Sequence, residues 1–325
     1  MEAERPYGGD ELQPGTQVGG YVIEIKLGEG GMGTVYGARD ESSGKRVAIK
    51  VLAPMFCRDP STMWRFEQEA RVVNQIHHPN IVTVYQLSEL SDGRKCLVME
   101  WLEGENLTSK IERHPISARE TAEIVDAMCD AIQAVHDKGV IHRDLKSDNV
   151  FVTATGIKLL DFGLAKLSGN DPNSLTRTKT GLVVGTPAYM APEQARALPI
   201  DHRVDIYAVG VLTFKMLTGQ LPFQGEAVDL IMQHLRTPPP APKQFVPGIP
   251  DELSDLVVRM MAKSAADRPT LADVRAVCAN VRASSTPVRV AEPQSISRKT
   301  TATVMFVAIA VLLAALMVFI VVTHV

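Results

Sequence analysis

Cysteine is scarce in this chain. There are four in 325 residues, Cys57, Cys96, Cys129 and Cys278, with no C-x-x-C pair and no Cys/His cluster at zinc-ligand spacing. A disulfide framework and a structural zinc site are thereby excluded, and reduced thiols in a cytosolic compartment are expected. A basic excess is missing too: 34 Lys and Arg against 37 Asp and Glu give a net charge of -3. Nonspecific nucleic-acid binding needs a basic face, so no nucleic-acid partner is expected. The first residues contain Glu2, Glu4, Asp10 and Glu11 and no apolar stretch of the kind a signal peptide requires. The phosphate-cradling G-x-x-x-x-G-K-[ST] motif is also absent, which disfavours a P-loop enzyme.

What is present is an ordinary globular composition, 45% hydrophobic and 22% charged, long enough for one large or two small domains with a sizeable core. Residues 1–20 are polar and rich in Gly and Pro, which predicts a flexible leader. From Tyr21 two β-favouring runs, Tyr21 to Leu27 and Thr34 to Arg39, enclose Gly28-Glu29-Gly30-Gly31-Met32-Gly33. Dinucleotide-binding folds share the G-x-G-x-x-G pattern but open a helix after it, whereas Thr34, Val35 and Tyr36 favour a strand. The expectation is a hairpin tip lying close over phosphates, with backbone N–H groups as donors. Met63, Phe66, Ala70, Val73 and Ile76 recur at helical spacing over 62–76, and Ala118 to His136 carries a broad apolar stripe suited to a core helix.

The chain is organised around 140–163. Apolar runs Asn149 to Thr153 and Ile157 to Leu160 flank Ala154-Thr155-Gly156, the composition of a β-hairpin. A hairpin returns its ends to one place, so His142, Arg143, Asp144, Lys146 and Asn149 are expected beside Asp161, Phe162 and Gly163. Asp161 and Asn149 carry hard oxygen ligands of the kind magnesium takes.

His142-Arg143-Asp144-Leu145-Lys146 with Asn149, followed by Asp161-Phe162-Gly163, resembles the catalytic loop and metal-binding triplet of protein kinases residue for residue. Gly28, Gly30, Gly33 and Val35, then Val47-Ala48-Ile49-Lys50, then Ala191-Pro192-Glu193 extend that resemblance over about 21–282. It implies an α+β, bilobal kinase fold, with a small, mostly β N-lobe at 21–101 and a larger, mostly α C-lobe at 102–282. It implies an ATP-dependent serine/threonine protein kinase, with Lys146 and Thr186 typical of that branch. Carried over by position, ATP would contact Leu27, Gly28, Glu29, Gly30, Gly31, Met32, Gly33, Thr34, Val35, Ala48 and Lys50. Met99 would be the gatekeeper behind the adenine, and the hinge that follows it, Glu100-Trp101-Leu102, would add Glu100 and Leu102. Asp144 would accept the substrate proton, Lys146 would offset phosphoryl charge, and Lys50 would be held toward the nucleotide by Glu69, with Glu67 as the competitor. Asn149 and Asp161 would hold Mg2+, with Mn2+ as the alternative metal.

Arg143 stands where it could pair with a phosphate on the segment after Gly163, where Thr176, Thr178, Thr180 and Thr186 are candidate regulatory positions and Thr178 and Thr180 lead. Asp205 and the pair Arg268 and Glu193 match structural anchors of the family. Partners implied are proteins with Ser or Thr, and the chain itself through autophosphorylation and dimerisation. A pseudokinase scaffold would have lost Lys50, Asp144 or Asp161, and none is lost.

After a Ser/Thr/Pro/Arg-rich juxtamembrane linker at 283–301, residues 302–322 are uncharged and almost wholly apolar, about 31 Å if helical and so enough to cross a bilayer. Arg289, Arg298 and Lys299 precede the run, and a short external tail, 323–325, follows it. By the positive-inside rule this predicts single-pass insertion in the inner membrane with the kinase domain cytosolic, the lipid bilayer being a further partner. Relatives with an extracellular sensor extend beyond such a span, so the input is expected from the cytosol, the membrane or a partner.

Overall fold

The computed structural model describes residues 11–30, 33–57, 67, 70, 71, 74–161 and 187–284, all within one compact unit, Met1–Ser284. Its first half is a fully antiparallel six-stranded sheet in the order β1-β2-β3-β4-β6-β5. The strands are β1 (Gln17–Val18), β2 (Tyr21–Gly30), β3 (Gly33–Asp40), β4 (Arg46–Leu52), β5 (Val84–Glu89) and β6 (Lys95–Glu100), with a short helix α1 (Pro54–Cys57) after β4. Alternation sorts the side chains onto two faces. Tyr36, Ala38, Val47, Ile49, Val51, Cys96 and Val98 form one buried core. The opposite face is set by register: Val35 pairs with Lys50, Gly37 with Ala48, and Ala48 with Met99. The glycine loop is the hairpin expected, pairing continuing to Gly30 and Gly33. Gly33 has φ +145°, and a Cβ there would lie 2.0 Å from the Val51 carbonyl oxygen, so only glycine lets β3 start so close to β4.

Residues 11–20 depart from the leader expected over 1–20. Val18 is buried, β1 pairs with β2 through Gln17 and Val22, and the Leu12 amide donates to the Tyr36 hydroxyl at 3.1 Å. Composition hides this because Gly15, Gly19 and Gly20, which read as flexibility, occupy positive φ in the turns that fold the segment back. Of the helix expected over 62–76, Glu67, Ala70, Arg71, Asn74, Gln75 and Ile76 are among the described residues; the first four are helical, Gln75 is in a turn and Ile76 lies past the helix end, and Ala70 packs on Leu52 and Leu97.

The second half is helical. A small sheet of β7 (Gly104–Asn106), β8 (Val150–Thr153) and β9 (Gly156–Leu159) sits beside α2 (Leu107–Arg113), α3 (Ala118–His136), α4 (Pro192–Ala195), α5 (Arg203–Thr218), α6 (Ala227–Arg236), α7 (Asp251–Met260) and α8 (Leu271–Ser284). Ser117 caps α3, its side chain accepting from the Glu120 amide, and the stripe Ala122, Ile124, Val125, Met128, Ile132 and Val135 is buried. Helix α5 is apolar on nearly every side, buried from Val204 to Phe214 without a break, and packs against α3 and α7. Arg268, its side chain fully buried, bonds both carboxylate oxygens of Glu193 at 2.6 and 2.7 Å, the Arg203 carbonyl and the Ala262 carbonyl, and lies 4.9 Å from the Tyr207 ring centre. The bilobal kinase architecture is thus present, with a β-rich N-lobe and a helical C-lobe. Among the described residues no helix is long and apolar enough to cross a membrane, and the apolar run 302–322 lies outside them.

Gly210 tests this packing. In an exposed helix, Gly→Ala stabilises by about 1 kcal/mol. Here a Cβ would fall 2.8 Å from the Met260 Cβ and 3.0 Å from the Met261 Cγ, both on buried residues. Overpacking therefore outweighs propensity, and Gly210→Ala is expected to destabilise the domain by about 1–3 kcal/mol in urea denaturation.

Candidate active site

The hairpin that the sequence predicts is present with a two-residue loop: Val150 pairs with Leu159, Phe151 with Lys158, Val152 with Ile157 and Thr153 with Gly156. One more ladder bond, Leu160 amide to Asn149 carbonyl at 2.8 Å, carries the pairing to the end of the loop and sets Asn149 next to Asp161. Opposite them the sheet delivers Lys50, whose Nζ lies 2.6 Å from the Asp161 Oδ1. Lys50 is buried and Asp161 half-buried. The Asp144 carboxylate is buried and lies 3.8 Å from the Lys146 Nζ. The Asn149 amide nitrogen donates to the Asp144 carbonyl at 2.8 Å and to its Oδ2 at 3.2 Å. The nitrogen is spent on Asp144, which leaves the Asn149 Oδ1 as the atom to turn toward a cation. With the Asp161 carboxylate this makes an all-oxygen donor pair, which fits a hard divalent metal.

Two residues of this loop, Arg143 at φ +61° and Asp161 at φ +46°, have left-handed backbones that non-glycine residues seldom adopt, at about 1–3 kcal/mol each. The surroundings hold them there. Asp205 on α5, 1% exposed, accepts the Arg143 amide on Oδ1 at 2.9 Å and the His142 amide on Oδ2 at 2.9 Å, and His136 Nε2 reaches Oδ2 at 2.8 Å. The His142 ring is fully buried, and its Nε2 donates to the Leu160 carbonyl at 3.1 Å. Burial pushes its pKa below the usual histidine range, so it serves as a neutral strut between the two sides of the hairpin.

The hinge is tied in the same way. Glu100 Oε1 accepts from the Thr83 amide and from the Lys158 Nζ, both at 2.7 Å. Under the catalytic loop, Thr108 Oγ1 donates to Ser147 Oγ at 2.6 Å, and Lys215 Nζ donates to the same oxygen at 2.9 Å. No local pattern points to Lys158, His136 or Lys215, because only the register of β9 and the packing of α3 and α5 bring them here.

Lys50, Asp144, Lys146, Asn149 and Asp161 are therefore brought together, with Val35 and Ala48 on the sheet face that Lys50 shares. Leu27, Gly28, Glu29, Gly30, Gly33 and Thr34 lie in the glycine hairpin, and Leu102 follows the hinge strand. Glu67 pairs with Lys95 at 3.2 Å, while Lys50 pairs with Asp161. Glu69, Gly31, Met32, Thr176, Thr178, Thr180 and Thr186 lie outside the described residues.

The model of the protein kinase domain matches residues 21–278. The chain is 40% identical over 261 residues to the serine/threonine-protein kinase Pkn1 of Myxococcus xanthus, a match covering 78% of this chain and 37% of that protein. It is 36% identical over 263 residues to the serine/threonine-protein kinase PknB of Mycobacterium tuberculosis, covering 79% of this chain and 42% of that protein. It thus spans less than half the length of these curated relatives. Among solved structures it resembles the kinase domain of PknI from Mycobacterium tuberculosis, with a TM-score of 0.67, 26% identity, and coverage of 84% of this chain and 98% of that one. The glycine hairpin, the Lys50 and Asp161 pair and the loop built on Asp205 agree with these matches, and the chain belongs to the protein kinase family, with bacterial serine/threonine kinases as its relatives.

Proposed function

We propose that the chain transfers the γ-phosphoryl group of ATP to serine and threonine hydroxyls of proteins. The convergence of Asp144, Asn149, Asp161 and Lys50 at one hairpin end is the observation that carries this reading. Asp144 orients the substrate hydroxyl and takes its proton as the new O–P bond forms and the bond to the β-phosphate oxygen breaks. Lys146, on the same loop, offsets charge on the group in transit, and Lys50 holds the α- and β-phosphates. Asn149 and Asp161 would hold Mg2+, whose positive charge would offset that of the phosphates. Glu69 would hold Lys50 in place.

Autophosphorylation at Thr176, Thr178, Thr180 or Thr186, read out by Arg143, and anchoring through 302–322 in the inner membrane with the kinase domain cytosolic, belong to the same proposal. The apolar run and the basic residues before it support the second.

Purified full-length chain in detergent, incubated with γ-labelled ATP and magnesium, should label itself or a generic protein on Ser and Thr. No transfer, or transfer undiminished in Asp161→Asn, would overturn the assignment. Mass spectrometry of the protein beside an Asp144→Asn form identifies self-made sites, because those sites vanish from the variant.

A further inference from the structure

Gly37 is the one residue of β3 whose missing side chain is filled by another residue's ring. A Cβ built on it would lie 2.9 Å from the Cζ3 and 3.4 Å from the Cη2 of Trp101, and 3.0 Å from the Ile25 Cγ2. Trp101 follows β6 directly, at the start of the crossing between the lobes. Register shows which face its indole occupies. Gly37 pairs with Ala48, and Ala48 with Met99, so these three positions look the same way, together with Val35 and Lys50 two residues along each strand. The benzo edge of Trp101 therefore rests on the face that carries Lys50, one cross-strand step from Ala48, and not on the packed face of the sheet. Arg46, two residues before Ala48 and so on the same face, brings its guanidinium to 4.8 Å from the indole centre.

The pyrrole N–H, at the other edge of the ring system, is buried and has no acceptor among the described residues. A structural packing residue normally satisfies that donor. Ile25, which shares the contact with Gly37, stays 54% exposed, so the cluster is the open outer rim of the nucleotide face and not part of a core.

We propose that Trp101, seated on Gly37, is a specificity-determining wall of the nucleotide cleft. The indole closes the end of the face beside Ala48, and its size limits how far a purine base extends past the hinge. A base with a bulky substituent on its exposed edge meets the ring, and an unsubstituted one packs against it. This rests on the reading of the face as the ATP site, and the test separates the two.

Equilibrium binding of ADP, N6-benzyl-ADP and 2-methylthio-ADP to the full chain is measured by calorimetry for the wild type, Trp101→Ala, Trp101→Phe and Gly37→Ala. Wild type is expected to bind ADP and to discriminate against at least one substituted nucleotide. In Trp101→Ala the loss of one aromatic contact should weaken ADP by about fivefold. Removal of the wall should also cut discrimination against a substituted nucleotide by about tenfold or more, the scale of a steric clash relieved. Trp101→Phe should restore most of both effects. Gly37→Ala, which pushes the indole off its seat, should move in the direction of Trp101→Ala without touching the ring. Unchanged discrimination in Trp101→Ala and Gly37→Ala, whatever happens to ADP affinity, overturns the proposal. Failure of the wild type to bind ADP overturns the ATP-site reading itself. A merely structural role for Trp101 would weaken all three nucleotides in proportion and leave their ratio fixed, which is also an overturning result.

Discussion

Asp144→Asn should lower phosphate transfer by about a thousandfold, within the range of a lost general base in a positioned site. The substitution keeps the shape and an acceptor oxygen for the Asn149 amide, which now bonds the Asp144 backbone carbonyl and Oδ2. It removes the negative charge that lies 3.8 Å from the Lys146 Nζ and the basicity that accepts the hydroxyl proton. The thermal midpoint should therefore stay within a few degrees of wild type while initial rates with γ-labelled ATP collapse. A loss of less than about tenfold would assign the proton to another group, because positioning alone does not depend on the carboxylate's charge.

Asp205→Ala should have the largest effect on the fold and a large one on rate. One carboxylate, 1% exposed, accepts the amides of His142 and Arg143 and the His136 ring nitrogen. Each buried donor left without a partner costs about 1–3 kcal/mol. Relaxation of the left-handed Arg143 backbone returns part of that, about 1–3 kcal/mol, leaving a net loss of about 2–5 kcal/mol. The relaxation is also what harms catalysis, since Arg143 adjoins Asp144, and a displacement of about 1 Å is enough for a hundredfold loss. Asp205→Asn keeps one acceptor oxygen and should fall between the two. Urea denaturation with initial rates on the same samples checks both. An Asp205→Ala protein with native rate would mean that the loop holds its conformation unaided.

Much of this is legible in the residues, for physical reasons. The catalytic hairpin declares itself because Gly156 and two short apolar runs leave few other foldings, and its register then places Asn149 beside Asp161. The helix from Ala118 to His136 has the bounds its pattern predicts, because Ser117 caps one end and the apolar spacing is unbroken. The strand at Gln17–Val18 escapes such a reading: two residues are too short for periodicity, and the glycines around them signal turns and disorder equally. The ties from Lys158 to Glu100, from His136 to Asp205 and from Lys215 to Ser147 join residues 58 to 69 positions apart, and no local pattern announces them. Gly37 carries no signal either, since its meaning depends on an indole far along the chain.

The cysteines that began as a scarcity become a clock. Cys96 is buried in the N-lobe core, while Cys129 and Cys278 are buried in the helical core. Burial raises the Cys96 thiol to about 11 and that of Cys278 to about 12, and holds Cys129 well above the ordinary thiol range. Only a thiolate attacks an alkylating reagent, so in the folded protein these three are silent at neutral pH. Each becomes reactive when its own neighbourhood opens. A thiol reagent followed by peptide mapping would thus time the opening of the two lobes separately, without any label being introduced, with half-buried Cys57 as the early mark.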